Sequence, residues 1–93
     1  MLNADFPTFA HITTATTTQV VSRPCTLISI IFNKPVASST VKLIDNTSGS
    51  TVNIGTITNT TDVKPYMLFY GVHLTTGLRI ITDQADDITV VYQ

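Results

Sequence analysis

A chain of 93 residues can form one small domain, and it is too short to build a second hydrophobic core. Only 12% of the residues are charged, and the formal net charge is −1. Binding to nucleic acid needs a basic patch or stripe, so this composition excludes a nucleic-acid-binding protein. So little charge also suits a chain that works inside an assembly better than a free monomer.

β-Branched residues dominate the composition. The chain contains 18 threonines, 10 isoleucines and 9 valines. Branching at Cβ restricts rotamers in a helix and packs well on a pleated sheet. The sequence therefore predicts an all-β protein, a single small β-sandwich or jelly-roll-like barrel of about seven to eight short strands.

The first eleven residues predict an extended N-terminal arm. Leu2, Phe6 and Phe9 follow no helical or strand period, and Pro7 disfavours a helical conformation for the residue before it. Two interpretations stay open: the arm docks on another chain, or it folds back over its own domain. We divide the chain into an arm at 1–11 and a sandwich domain at 12–93.

Runs of apolar and β-branched residues between turn signals predict the strands of this domain. In chain order they cover residues 11–22, 25–32, 40–45, 51–58, 66–74, 78–82 and 88–92. The isolated Gly55 predicts a β-bulge inside its strand.

Two of the predicted strands are apolar on both faces, which is typical of a central strand or of a strand at an interface. In 25–32 the alternation places Leu27 and Ile31 on one face. In 66–74 it places Met67 and Phe69 together. We expect these four side chains to lie at a subunit interface.

Residues capable of chemistry are few and scattered. Cys25 is the only cysteine, so no disulfide within the chain and no cysteine metal cluster can form. Asp83, Asp86 and Asp87 match no calcium loop and are typical of a solvated turn. His11 and His73 lack an evident third ligand, so we expect no metal site.

The sequence also gives no support for catalysis or for binding of a small ligand. Cys25 begins an apolar strand, and buried structural cysteines are inert. Tyr66, Tyr70 and Tyr92 could form a carbohydrate site, but tyrosines on apolar strands are more typical of a core or an interface. We expect no catalytic residue, no cofactor and no small-molecule substrate, and we interpret the protein as a non-enzyme.

Targeting signals are also missing from the pattern. The N-terminus has neither the basic start nor the apolar core of a secretory signal, and no apolar run approaches the roughly 18 residues of a membrane helix. We expect a protein made in a cytoplasm, with no membrane partner.

Several segments form a familiar succession: TTQVV at 17–21, TVKLIDNTSGS at 40–50, TVNIGTITNT at 51–60, FYGVHLTTGLRIIT at 69–82 and ADDITVVYQ at 85–93. Over residues 12–93 this succession resembles small structural proteins of tailed bacteriophages. Within that group the best-fitting role is a capsid decoration (cement) protein, which sits outside the mature head and clamps neighbouring major-capsid subunits. The resemblance includes no catalytic motif.

The resemblance implies a homotrimer on the capsid exterior of a virion, made in the bacterial host cytoplasm, with the major capsid protein as partner. It also implies an arm that grips the shell, and deletion of 1–10 is expected to abolish capsid binding while the domain stays folded. The residues expected to contact the major capsid protein are Leu2, Phe6, Phe9 and Ile12. The alternatives are a tail, fibre or head–tail connector component, and a small carbohydrate-binding adhesion module.

Overall fold

A computed structural model of the chain describes residues 6–93, and these form eight strands and no helix. The strands are β1 (Thr8–Ile12), β2 (Thr17–Val21), β3 (Cys25–Lys34), β4 (Thr40–Ile44), β5 (Gly55–Thr58), β6 (Tyr66–Leu74), β7 (Leu78–Thr82) and β8 (Asp87–Tyr92). All strand pairs are antiparallel. The all-β prediction is confirmed.

The strands form two four-stranded sheets. Sheet A has the order β1-β8-β3-β6, and sheet B has the order β2-β7-β4-β5. The first strand pairs with the last, the second with the seventh, the third with the sixth and the fourth with the fifth. Such nested pairing is a long hairpin wrapped into two layers, which is the jelly-roll arrangement. The first and last strands therefore lie side by side in sheet A.

The core lies between the two sheets and takes alternate residues from each strand. Leu27, Ile30 and Phe32 contribute from sheet A, and Leu43 and Ile80 contribute from sheet B, all with no exposed surface. Burying each of these side chains contributes about 1.5–3 kcal/mol of hydrophobic stabilisation. The core thus fixes which face of each sheet points to solvent.

The predicted arm is shorter than the sequence suggests. Residues 8–11 belong to β1, which pairs with β8 over five residues, so the sheet begins at Thr8 and not at Ile12. The single strand expected at 11–22 is two strands in different sheets. The Thr82 hydroxyl stabilises the crossover, because it donates to the Thr14 carbonyl and accepts from the Thr16 N–H. A run of threonines contains no turn residue to mark this break.

The bulge expected at Gly55 is absent, because Gly55 begins β5 and residues 51–54 belong to the preceding loop. Asn53 explains the shorter strand. Its side chain bonds both the N–H and the carbonyl of Asp45, so it substitutes for a ladder partner there.

A register shift in β3 shows that the prediction of Leu27 and Ile31 on one face is wrong. Leu27 and Ser29 pair with the consecutive residues Tyr92 and Val91 of β8, so Ile28 is an extra residue of β3 in that pairing. In the pairing with β6 the extra residue lies on β6, between Phe69 and Val72. An extra residue in one strand reverses the alternation beyond it. Leu27 therefore points into the core, and Ile31 lies on the opposite face of the sheet.

Candidate interaction surface

The outer face of sheet A carries two rows of side chains that cross all four strands. Residues paired between neighbouring strands lie side by side on the same face. Row one runs from β1 to β6 through Phe9, Val91, Ser29 and Phe69. Row two runs in the same direction through His11, Thr89, Ile31 and Met67. We call these eight residues the sheet-A face.

The sheet-A face exposes large apolar side chains in an ordered arrangement. Phe69 is 78% exposed, Phe9 is 65% exposed and Met67 is 46% exposed. Scattered apolar residues are normal on a soluble protein, whereas a contiguous exposed group marks an interaction site. Row one contains no charged residue. Its two exposed aromatic side chains, Phe9 and Phe69, lie at its ends, and between them Val91 is half-buried and Ser29 is buried.

The outer face of sheet B is different. One of its rows consists of Thr17, Ile81, Lys42 and Thr56. The loop at 45–54 covers part of it, because Arg79 Nε donates to the Gly49 carbonyl at 2.8 Å and Ile44 is completely buried. The sandwich therefore has one mainly polar, partly covered face and one open apolar face.

The structure brings together four of the eight residues predicted at interfaces. Phe9, Ile31, Met67 and Phe69 all lie on the sheet-A face, although they come from β1, β3 and β6. Their exposure fits the prediction that they contact another chain.

Of the other four predicted residues, two are wrong, one fits the prediction and one lies outside the described residues. Ile12 is 5% exposed and Leu27 is fully buried. Both belong to the domain's own core, so their assignment to an interface is wrong. Phe6 is 88% exposed just before β1, which fits a docking residue. Leu2 lies outside the described residues.

Sequence reasoning missed Val91 and Ser29, which complete row one. Neither residue stands out in its own strand, because Val91 follows another valine and Ser29 is small and polar. Their role depends on the pairing of β8 between β1 and β3. Local periodicity contains no signal for such long-range pairing.

The charged side chains on the outer side of sheet A lie at one end of the sheet-A face. His11 Nε2 bonds Asp87 Oδ1, and Asn33 Nδ2 donates to the same oxygen at 3.2 Å. The His11 hydrogen bond, followed by that of Asn33, holds the pKa of Asp87 below its ordinary value despite an opposing effect of desolvation. The carboxylate is thus ionised and already partnered by side chains of its own sheet.

The three clustered aspartates hold separate turns rather than one ion. Asp83 accepts hydrogen bonds from the Thr40 N–H and hydroxyl at 2.7 and 2.9 Å. Asp86 accepts from the Val36 N–H and the Ser39 hydroxyl at 2.6 and 2.7 Å. Asp86 is fully buried, so the expectation of a solvated turn is wrong for this residue. Within residues 6–93 no three His, Cys, Asp or Glu side chains form a metal-binding group.

Cys25 and the tyrosines belong to the packing of the domain. Cys25 is 3% exposed, and burial raises the pKa of its thiol, which keeps it in the unreactive protonated form. Tyr66 stacks on Phe32 with ring centroids 4.5 Å apart. Tyr70 and Tyr92 are half-buried against the core. The described part of the chain contains no pocket.

A carboxylate outside the sheet-A face stabilises the β6–β7 turn. Asp45 accepts hydrogen bonds from the N–H groups of Thr75, Thr76 and Gly77 at 3.1, 2.9 and 3.2 Å. Desolvation raises the pKa of Asp45, but these N–H groups and the Thr75 hydroxyl outweigh it and hold the pKa below the ordinary value. The folded state therefore favours the ionised carboxyl.

This lowered pKa predicts acid sensitivity. Stability from Asp45 is fully present above the unfolded-state pKa of about 4 and is lost as the pH falls through the lower folded-state pKa. At neutral pH we expect Asp45→Asn to lower the free energy of unfolding by about 1 kcal/mol, because the group is partly exposed. Urea unfolding at pH 7 and pH 2.5 measures this difference. A gap between wild type and variant that is unchanged at pH 2.5 would contradict the prediction.

Comparison with known proteins adds no relative. No protein-family model, curated protein or solved structure matches the chain. Among the described residues, no helix is long and apolar enough to cross a membrane.

Proposed function

We propose that the protein is a virion structural protein that decorates and stabilises the outside of a tailed-phage capsid by bridging major-capsid subunits as a homotrimer. The observation that supports capsid binding most directly is the exposure of Phe6 just before β1, and the exposed apolar residues of the sheet-A face support the trimer. The resemblance of residues 12–93 to small phage structural proteins also supports the proposal. A jelly roll is also an architecture of viral capsid proteins.

A decoration protein works by binding the assembled shell. A ligand that binds only the assembled state stabilises that state by mass action. Many identical contacts repeated over a shell act together, so each contact can be weak. Small apolar patches on a rigid sandwich suit such a role, because the sandwich holds them in place without further ordering on binding.

The segment before β1 is the part of the chain that we assign to the capsid. Five residue pairs join β1 to β8, so the sheet fixes the position of Thr8, where the strand begins. Phe6 is the most exposed large apolar residue of the described chain, and Pro7 follows it. A phenylalanine beside a stiff proline enters an apolar pocket at a small entropic cost. Leu2 and Phe6 are the proposed capsid contacts.

Deletion of residues 1–7 tests this assignment. The cut must precede Thr8, because deletion of 1–10 removes most of β1 and exposes the β8 edge. We expect the shortened chain to melt within a few degrees of wild type and to lose binding to phage heads. The measurement is co-sedimentation with expanded heads that lack the protein.

A matched control separates the segment from the rest of the surface. Thr56→Lys changes an exposed residue on β5, in the other sheet, and should leave head binding intact. Phe6→Ser should weaken binding as the deletion does. Full occupancy of heads by the deleted chain would show that residues 1–7 do not bind the capsid.

A further inference from the structure

We infer that the sheet-A face is covered by two further copies of this chain, with β1 of each copy paired to β6 of the next around a three-fold axis. The inference specifies the surface of the proposed trimer, but it does not depend on capsid binding. It follows from the edges, the strand directions and row one of sheet A.

Both edges of sheet A are open in the described chain, and neither carries a charge or a proline. No strand of the described chain pairs with the outer edge of β1 or of β6. β6 is nine residues long, and neither edge strand contains a lysine, arginine, aspartate, glutamate or proline. Soluble monomers usually protect such edges with charges, prolines, bulges or short strands. Of these devices β1 has only its length of five residues, and β6 has only the irregularity at Tyr70 and Gly71.

The strand directions make these two edges complementary. Each neighbouring pair in sheet A is antiparallel, so β1 and β6 run in opposite directions. Rotation about an axis along the strands keeps every strand direction. The β1 edge of a rotated copy therefore meets β6 as an antiparallel partner, and repetition of this contact closes a ring.

The same rotation aligns row one between copies. Phe9 and Phe69 end this row at opposite edges of the sheet. Because the rotation preserves height along the strands, Phe69 of one copy lies opposite Phe9 of the next. Aromatic side chains opposed across strands attract each other beyond their simple burial. The exposure of these two side chains, 78% and 65%, is then explained by one contact.

The dimensions of the sheet fit three copies. Four strands about 4.8 Å apart make a sheet about 19 Å wide, so three flat sheets enclose a triangle whose centre lies about 5.5 Å from each. Packed sheets stand about 10 Å apart, and side chains from three faces therefore fill this space. Four copies would leave a gap at the axis. With only two copies, a closed ring would require each sheet A to bend away from its own sheet B.

Charge favours identical copies over a different partner. Row one holds no charged side chain, so three copies of it meet without repulsion. The Asp87 carboxylate at the end of the face is already bonded to His11 and Asn33. A face without charge has nothing to select or steer a charged partner.

The mass of the purified full-length chain in solution, without phage heads, tests this inference. We expect light scattering after size exclusion to give a trimer. Phe69→Lys should give a folded monomer, an about threefold fall in mass, because a lysine in the apolar interior of the ring is unpaired. Thr56→Lys places the same side chain on β5 of sheet B and should stay trimeric. A monomeric wild type, or a trimeric Phe69→Lys, would overturn the inference.

Cross-linking tests the specific pairing of edges. A chain carrying both Phe9→Cys and Phe69→Cys should form disulfides between chains when diamide oxidises the paired thiols, because opposed residues have Cβ atoms about 4.5–5.5 Å apart. Chains with either substitution alone should not cross-link, and the native Cys25 is buried. Cross-linking by Phe69→Cys alone would show β6 paired with β6 and would overturn the ring. Because heads are absent, loss of capsid binding cannot mimic any of these results.

Discussion

Leu27→Lys is expected to prevent folding, whereas Ile31→Lys is expected to leave the domain folded. Leu27 has no exposed surface, because the extra residue at Ile28 turns its side chain into the core. An unpaired ammonium there costs several kcal/mol, which is comparable to the whole stability of a small domain. Ile31 is half-buried on the outer face of sheet A, where a lysine stem lies along the sheet and its charge reaches water.

Circular dichroism and urea unfolding measure both variants. We expect Ile31→Lys to remain within about 1 kcal/mol of wild type and Leu27→Lys to lack a cooperative transition. If β3 alternated regularly, Leu27 and Ile31 would lie on the same face and the two substitutions would have the same effect. Each variant is therefore the control for the other. Equal effects of the two substitutions would contradict the bulge and the assignment of faces.

Asp86→Ala is expected to lower the free energy of unfolding by about 3 kcal/mol, because it leaves buried donors without an acceptor. The Asp86 carboxylate accepts from Val36 and Ser39. The Ser39 hydroxyl in turn accepts from Asn59, and Asn59 accepts from the Tyr66 hydroxyl. This network joins the loops that follow β3, β5 and β7, and such networks lose more than one bond when a member is removed.

Thermal unfolding measures this loss. For a chain of this size we expect the Tm of Asp86→Ala to fall by about 15 °C. Asp62→Ala removes an exposed carboxylate from a loop and should stay within about 0.5 kcal/mol of wild type. A similar Tm for both variants would show that the buried network does not stabilise the loops.

Composition and periodicity were sufficient to predict the sandwich, because β-branched residues and frequent turn residues are local signals. The residues that define the sheet-A face were only partly predictable. Met67 and Phe69 stand out within β6, and Phe9 stands out as an aromatic near the N-terminus. Their convergence depends on β8 inserting between β1 and β3, which no local pattern records.

The errors have equally local causes. Ile12 and Leu27 are apolar residues in apolar surroundings, so sequence alone does not distinguish core from interface. The extra residue at Ile28, which the pairing with β8 reveals, reverses the faces of β3, and an isoleucine in an apolar run gives no local sign of it. Asp86 looks like its exposed neighbours in a turn, and only the fold reveals that it is buried beneath two loops. Long-range packing decides each of these cases.

We propose that the chain covers a capsid, and the copy number on phage heads tests this most directly. The experiment mixes purified full-length chain with expanded heads lacking it, pellets the heads and quantifies bound protein. Trimers on three-fold and quasi-three-fold positions predict saturation at about one copy per major-capsid subunit. Saturation at a handful of copies per particle, or no binding, would contradict decoration and would favour a tail, connector or adhesion protein.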